Sequence, residues 1–232
     1  MIPYKSTPES RKAFLEELAR MPDIPDGSLV GSALYKNVRF EQKADYAGAD
    51  KRLLTYDASL ARLRKGGFAR HARPVEAFGL LIDNLENKLS GALKDVADDM
   101  LKSYGEWLSA AFERKGNNLT VYIDPENIKW NGTIYEWNGK PQSSSEHSFN
   151  IAGIPSNTLV DMKRFSEEFV KLFYGKKANE LPEVMKTGGK RAQAYLREGL
   201  WPVGRGNFYY VYIVGIVDRA SRGVAQAQKK VP

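Results

Sequence analysis

From Phe78 onward, apolar residues return every three or four positions, through Leu81, Leu85, Leu89, Leu93, Val96, Met100, Tyr104, Leu108 and Phe112. No other feature constrains the folding of this chain as tightly. A spacing near 3.6 keeps one face of an α-helix apolar, whereas a half-buried strand needs an alternation of two. The nine steps cover 34 residues, about 3.8 per step, slightly wider than a straight helix and on the wrong side of 3.5 for a left-handed coiled coil. Pro74 suits a first helical position. Gly79, Gly91 and Gly105 each cost ~1 kcal/mol relative to alanine inside a helix, and Ser90-Gly91 is the expected kink, with Ser90 able to cap a second helix. Unbroken, residues 74–114 would span ~60 Å. The helix therefore either breaks near Ser90 or projects and packs on a partner, with Leu93, Met100, Tyr104 and Leu108 as the candidate interface.

Elsewhere the patterns are shorter. Thr7, Pro8 and Glu9 open a helix over 7–21, one short strand is expected near Ala33–Phe40, and Asp57–Leu63 reads as a short helix. After Lys115-Gly116-Asn117-Asn118 the period becomes two, with Leu119, Val121 and Ile123 on one side of a strand. The triplet Trp-Asn-Gly then occurs twice, at 130–132 and 137–139. Asn-Gly is the strongest short hairpin signal. A two-residue loop at Asn131-Gly132 sets Trp130 opposite Thr133 and places Ile128, Trp130, Thr133, Tyr135 and Trp137 on one face. That face is either core or an aromatic binding surface. Asn138-Gly139 turns the chain again. A helix over 158–174 ends at Gly175, a basic helix covers 182–198, and Phe208–Val217 reads as a central strand. The tail from Asp218 is polar and basic. These elements predict an α+β fold: a helical N-terminal half with one long amphipathic helix, then a C-terminal mixed or antiparallel sheet with flanking helices. A boundary near 116 divides a mainly helical 1–116 from a mixed 117–232, unless the two form one domain.

Composition excludes several chemistries. With no cysteine, disulfides, thiolate nucleophiles and Cys-ligated metals are ruled out. The first residues lack the apolar stretch of a signal peptide, and the longest apolar run, Phe208–Val217, is far short of the ~20 residues of a membrane helix. A protein of the cytoplasm, or of a virion in a host cytoplasm, is expected, with no membrane partner and no cofactor. His71 and His147 lie in polar surroundings, and Ser143-Ser144-Ser145-Glu146-His147 lacks a nucleophile-elbow pattern. Asp124, Glu126 and Lys129 only faintly suggest a metal nuclease. Lys186-Thr187-Gly188-Gly189-Lys190-Arg191 lacks the first glycine and the final hydroxyl of a phosphate-binding loop.

The net charge of +7 is unevenly placed: residues 176–232 hold 11 Lys and Arg against 4 Asp and Glu. The remaining 24 of each sign balance over residues 1–175. A phosphate-bearing partner such as nucleic acid would meet Lys186, Lys190, Arg191, Arg197 and Arg205, together with Arg64, Lys65, Arg70 and Arg73 around Gly66, Gly67 and Phe68. The alternative is that folding spreads or pairs these charges.

The segment from Leu85 to Met100, followed by Leu119-Thr-Val-Tyr-Ile123, resembles the long-helix-then-sheet layout of neck and tail-completion proteins of tailed bacteriophages. The likeness covers residues 76–137 and is one of layout. It implies a structural protein without an active site that oligomerises as a ring or adaptor. The leading functional expectation is thus a non-enzymatic, self-associating assembly protein, a virion neck or tail component. The alternatives are a nucleic-acid-binding protein and, behind it, a metal-dependent hydrolase.

Overall fold

The computed structural model describes residues 32–43, 54–102, 106–131, 135–154, 159–161, 165–182, 193–195, 199–204, 206–207, 210–212 and 222–226. The helix expected over 7–21 lies outside them. Four helices run Tyr56–Lys65 (α1), Pro74–Leu85 (α2), Gly91–Lys102 (α3) and Glu167–Tyr174 (α4) among these residues. The central sheet contains β4 (Trp107–Lys115), β5 (Asn118–Ile123), β8 (Ser145–Asn150) and β11 (Gly199–Gly204), antiparallel in the order β11-β4-β5-β8. A second sheet holds β1 (Ser32–Tyr35), β2 (Val38–Glu41), β3 (Arg70–His71) and β14 (Gly223–Gln226), in the order β1-β2-β14-β3. A third runs β12-β13-β10-β9, from Gly206–Asn207, Tyr210–Tyr212, Gln193–Tyr195 and Leu159–Asp161, with β10 and β13 parallel. Strands β6 (Glu126–Trp130) and β7 (Tyr135–Gln142) form a two-stranded ribbon.

This sheet-rich architecture overturns the expected helical N-terminal half. The long helix is two helices and a strand. α2 stops at Leu85, where Asn87 takes a left-handed φ of 56° and the Lys88 amide donates back to Asp83. The chain restarts as α3 at Gly91 and returns alongside, with the Asn84 amide donating to Asp98 at 3.2 Å. Leu108 and Phe112 lie in β4. The periodicity misleads there because a step of four residues is both about one helical turn and two full strand repeats. What separates the two readings is the burial of Trp107, Leu108, Ala110, Ala111 and Phe112 together, since a surface helix buries only one stripe.

β4 is apolar on both faces because each has its own cover. Leu108, Ala110 and Phe112, with Leu119, Val121 and Ile123 of β5, lie under α2, α3 and α4 in the main core. The Phe112 and Phe173 rings stack at 5.5 Å. On the opposite face Trp107 and Ala111 meet Tyr56 of α1 and Ile128 and Tyr135 of the ribbon. The main core takes residues from Ala33 to Val224, on both sides of residue 116, which is the β4–β5 turn. α4 is capped by the Ser166 hydroxyl, which accepts from the Phe169 amide, and it ends at Gly175 in the left-handed region. Gly175 packs so closely that a Cβ there would meet Val75 at 2.6 Å.

The ribbon keeps the expected face and changes its register. Trp130 pairs with Tyr135 and Ile128 with Trp137, so the connection is two residues longer than the expected tight turn. Asn138-Gly139 does not reverse the chain; β7 continues through it to Gln142, with Gly139 at positive φ. Ile128 and Tyr135 are buried, and Trp130 and Trp137 pack on the same cluster. The two tryptophans of the repeat thus pack against a core cluster while staying partly exposed. Residues 193–195 are strand β10 rather than part of a basic helix. Residues 210–212 are strand β13, within the stretch read as a central strand.

Met100 and Leu108 are inside the main core. Replacing either by alanine is expected to cost about 2–5 kcal/mol, the usual range for deleting a large buried aliphatic side chain. Urea denaturation measures it, and a cost within about 0.5 kcal/mol, typical of surface positions, would contradict the packing.

Candidate functional site

The described residues form a dense polar network where β14 enters the second sheet. β2 and β3 do not pair with each other; β14 lies between them, antiparallel to both. Val224 sits opposite Phe40 and Arg70, and Ala225 opposite Arg39. Arg222, just before the strand, is 1% exposed. Its Nε donates to both Glu106 oxygens at 3.1 and 2.9 Å. Nη1 donates to the carbonyls of Glu41 and Gln42 at 2.6 and 2.7 Å, and Nη2 to Glu106 and Asp99. All five N–H groups of the guanidinium are thus used. The Glu41 carboxylate holds Arg62 through both oxygens and also accepts from the Gly223 amide at 2.9 Å.

This arrangement is a socket for one arginine. Arg222 is the cation that Asp99 and Glu106 share, while Glu41 holds Arg62. Burial pushes the Glu106 carboxyl above its ordinary value, and the Arg222 guanidinium opposes that push. Burial works against the charge of Arg222 too, yet Glu106 and Asp99 lift its pKa above the ordinary value. Gly223 is required by contact: a Cβ there would fall 2.4 Å from the Phe68 ring and 2.9 Å from Leu63. Ala225 packs on the same two side chains. At the Asp99 end the socket reaches a shallow cleft of about 290 Å³ lined by Gln42, Lys43, Asp95, Asp98 and Asp99.

Sequence reasoning misses this site. Arg222, Gly223 and Val224 stand in a tail that reads only as polar and basic, and Glu106 falls within the expected long helix. The one available signal is a small apolar pair, Val224-Ala225, directly after Arg-Gly.

The predicted cationic loop is largely neutralised. Arg70 makes a bidentate pair with Glu76 at 2.7 Å, and Arg73 donates to Asp124. Arg64 lies 3.8 Å from Glu126, Lys65 ends α1, and Phe68 is buried. Burial raises the Asp124 carboxyl, but Arg73, Ser109 and Arg70 outweigh it and hold the group below its ordinary value. Lys186, Lys190, Arg191, Arg197 and Arg205 lie outside the described residues, as does Tyr104. Leu93 is half-buried against the main core, in which Met100 and Leu108 are buried. Leu108 therefore belongs to a strand and not to a helical interface stripe.

The catalytic alternatives come together only in part. The His147 Nε2 lies 3.2 Å from the Ser145 hydroxyl, while Asp124 contacts Ser144 rather than the histidine. The third member of a triad is therefore not aligned with its base. Arg73, Ser144 and Ser145 line a cleft of about 400 Å³ whose walls are Pro74, Val75, Ile123 and Leu172. Asp124 and Glu126 of the suggested metal set are engaged by arginines, and among the described residues no group of three His, Asp or Glu is placed to hold an ion. No described helix is long and apolar enough to cross a membrane.

His71 is fully buried, with Nε2 at 2.7 Å from the Ser59 hydroxyl and its ring 4.9 Å from that of Tyr56. Comparison of this chain with protein-family models, curated proteins and solved structures finds no match.

These buried groups can be tested through stability. Arg222→Ala is expected to cost about 3–5 kcal/mol, because it strands the Glu106 charge in the interior. Arg222→Lys should recover little of this, since an ammonium has three donors where the socket engages five. Urea denaturation of the three proteins is the measurement, and parity of Arg222→Lys with the parent would refute the guanidinium-specific fit. A further test concerns pH. Burial, then Arg62, Arg70 and Arg64, pull the His71 imidazole down to about 3. The unfolded chain takes up the proton near pH 6.5. Stability should therefore fall as pH drops from about 6.5 toward 3, by up to about 1.4 kcal/mol per pH unit. Between pH 7.5 and 5.5 the parent should lose about 1.4 kcal/mol in total more than His71→Gln does; equal losses would assign the effect elsewhere.

Proposed function

We propose that this chain is a non-enzymatic assembly protein that associates with copies of itself. The observation that carries the reading is β1, Ser32-Ala33-Leu34-Tyr35, which ends its sheet with no strand on its outer side among the described residues. A terminal strand is where a sheet can pair with another chain, and monomeric proteins usually blunt it with lysine, proline or a covering element. β1 has neither residue, and although α3 packs against it, Leu34 remains 46% exposed. The finer reading, a neck or tail-completion component assembling in a host cytoplasm, draws on a long helix preceding the sheet and loses that support, since the helix is broken into α2 and α3 and continues as strand β4. The nucleic-acid alternative loses Arg70 and Arg73, whose charges are matched by Glu76 and Asp124.

Sedimentation across a concentration series tests the proposal. The parent should have a mass several times 26.1 kDa, and Leu34→Asp should lower it without loss of the melting transition. A particle that stays monomeric at all concentrations overturns the assembly reading. Salt-sensitive binding of duplex nucleic acid by that monomer would then favour the basic quarter of the chain.

A further inference from the structure

We propose that the cleft of about 400 Å³ at the start of α2 is a binding site for a small organic acid. Its carboxylate is held by Arg73 and its apolar body lies on the cleft walls. The site does not depend on self-association.

Pairing matches the charge of Arg73 but does not use up its donors. Nε and Nη2 both donate to one Asp124 oxygen, Oδ2. These two groups form the side edge of the guanidinium. The end edge, Nη1 together with the second Nη2 hydrogen, meets no acceptor among the described residues. Arg73 lines the cleft, with its side chain 39% exposed. Two parallel N–H groups on one edge match the two oxygens of a carboxylate. A guanidinium between two carboxylates is an arrangement this chain already uses, since Arg222 joins Asp99 to Glu106.

A second donor comes from β8. Ser145 lines the same cleft, and its Oγ lies 3.2 Å from Nε2 of His147, two residues along the strand. With the ring hydrogen on Nε2, the serine accepts from the histidine and keeps its own O–H for a ligand. Ser144 differs, because its hydroxyl donates to the Ile123 carbonyl and to Asp124.

The remaining walls, Pro74, Val75, Ile123 and Leu172, are apolar. Val75 is 40% exposed, and of the three large apolar side chains left open among the described residues it alone lines this cleft. A bare phosphate or a nucleic-acid backbone leaves such walls unused, whereas a carboxylate on a compact hydrocarbon body covers them. Small-molecule sites combine these features: mostly apolar walls with a few placed polar groups. The volume equals that of about 13 molecules of liquid water, which suits a body of about a dozen non-hydrogen atoms.

The test uses 3-phenylpropanoate as probe, added to the isotope-labelled full chain while the amide signals of Val75 and Ser145 are followed. Saturable shifts at both are expected, with a Kd of about 2 mM or tighter, the scale open to a ligand of this size. Two controls separate the parts of the site: 3-phenylpropan-1-ol keeps the body without the charge, and acetate keeps the charge without the body. Each should bind at least about tenfold more weakly. Arg73→Gln should weaken the acid by about tenfold and leave the alcohol unchanged. Because Arg73 also holds Asp124, Val75→Glu serves as a second variant. It occupies an exposed first-turn position where an acidic residue suits the helix, and its like charge at the cleft should weaken the acid by about the same factor. Melting curves establish that each variant is folded, and Val75→Glu decides alone if Arg73→Gln is not. An alcohol that binds as tightly as the acid overturns the carboxylate site. So do folded variants that bind the acid as the parent does, or a parent without saturable shifts up to about 20 mM. These outcomes are read from binding and the assembly reading from sedimentation, so each can fail without the other.

Discussion

The buried guanidinium of Arg222 is the constraint on which the rest of the described fold turns. Moving a charge out of water is tolerated only when its donors find acceptors and its charge finds a counterion. Here those partners are Asp99 in α3, Glu106 at the start of β4, and the end of β2. Fixing that one side chain therefore fixes where α3 ends relative to the central sheet and how the second sheet attaches to it. The Arg222–Glu106 pair spans 116 residues of sequence. The second sheet cannot be completed until β14 is present, since β2 and β3 touch only through it. Folding of this chain is accordingly weighted toward contacts distant in sequence, which form late and at an entropic cost.

Elements that carry their own local chemistry are legible in the sequence. α4 has a serine cap, acidic residues in its first turn and a left-handed glycine at its end, and it lies within the expected helix. Pro74 opens α2, and the break before Gly91 falls at the expected kink. β5 shows plain alternation because the two sides of Leu119–Ile123 differ in polarity. What stays hidden is every feature whose cause lies far along the chain. β4 reads as helix because both of its faces are covered, by helices on one side and by the ribbon with α1 on the other. A strand buried twice loses the alternation that would identify it.

Charge shows the same limit. Arg73 meets Asp124 across 51 residues, and Arg62 meets Glu41 across 21. A list of cations cannot distinguish a free basic face from one already paired, because pairing is a property of the fold. In sequence the Arg64–Arg73 loop offers a row of cations to a phosphate, yet its arginines largely serve to hold α2 and the β5–β6 turn together.

The two arginine groups also differ in what they contribute. Arg73 is 39% exposed on its side chain, so its pair with Asp124 exchanges solvation for a contact of similar strength and adds at most about 1 kcal/mol. Arg222 has no such exchange open to it once β14 is seated. Its binding is all or nothing: the socket is either filled by a guanidinium or left with carboxylates that repel one another. A four-residue strand with two small apolar side chains buries too little to hold itself in a sheet against the entropy of its own ordering. The guanidinium supplies what the strand lacks and makes the position of this segment a discrete choice. A segment held in this way is docked or released as a unit.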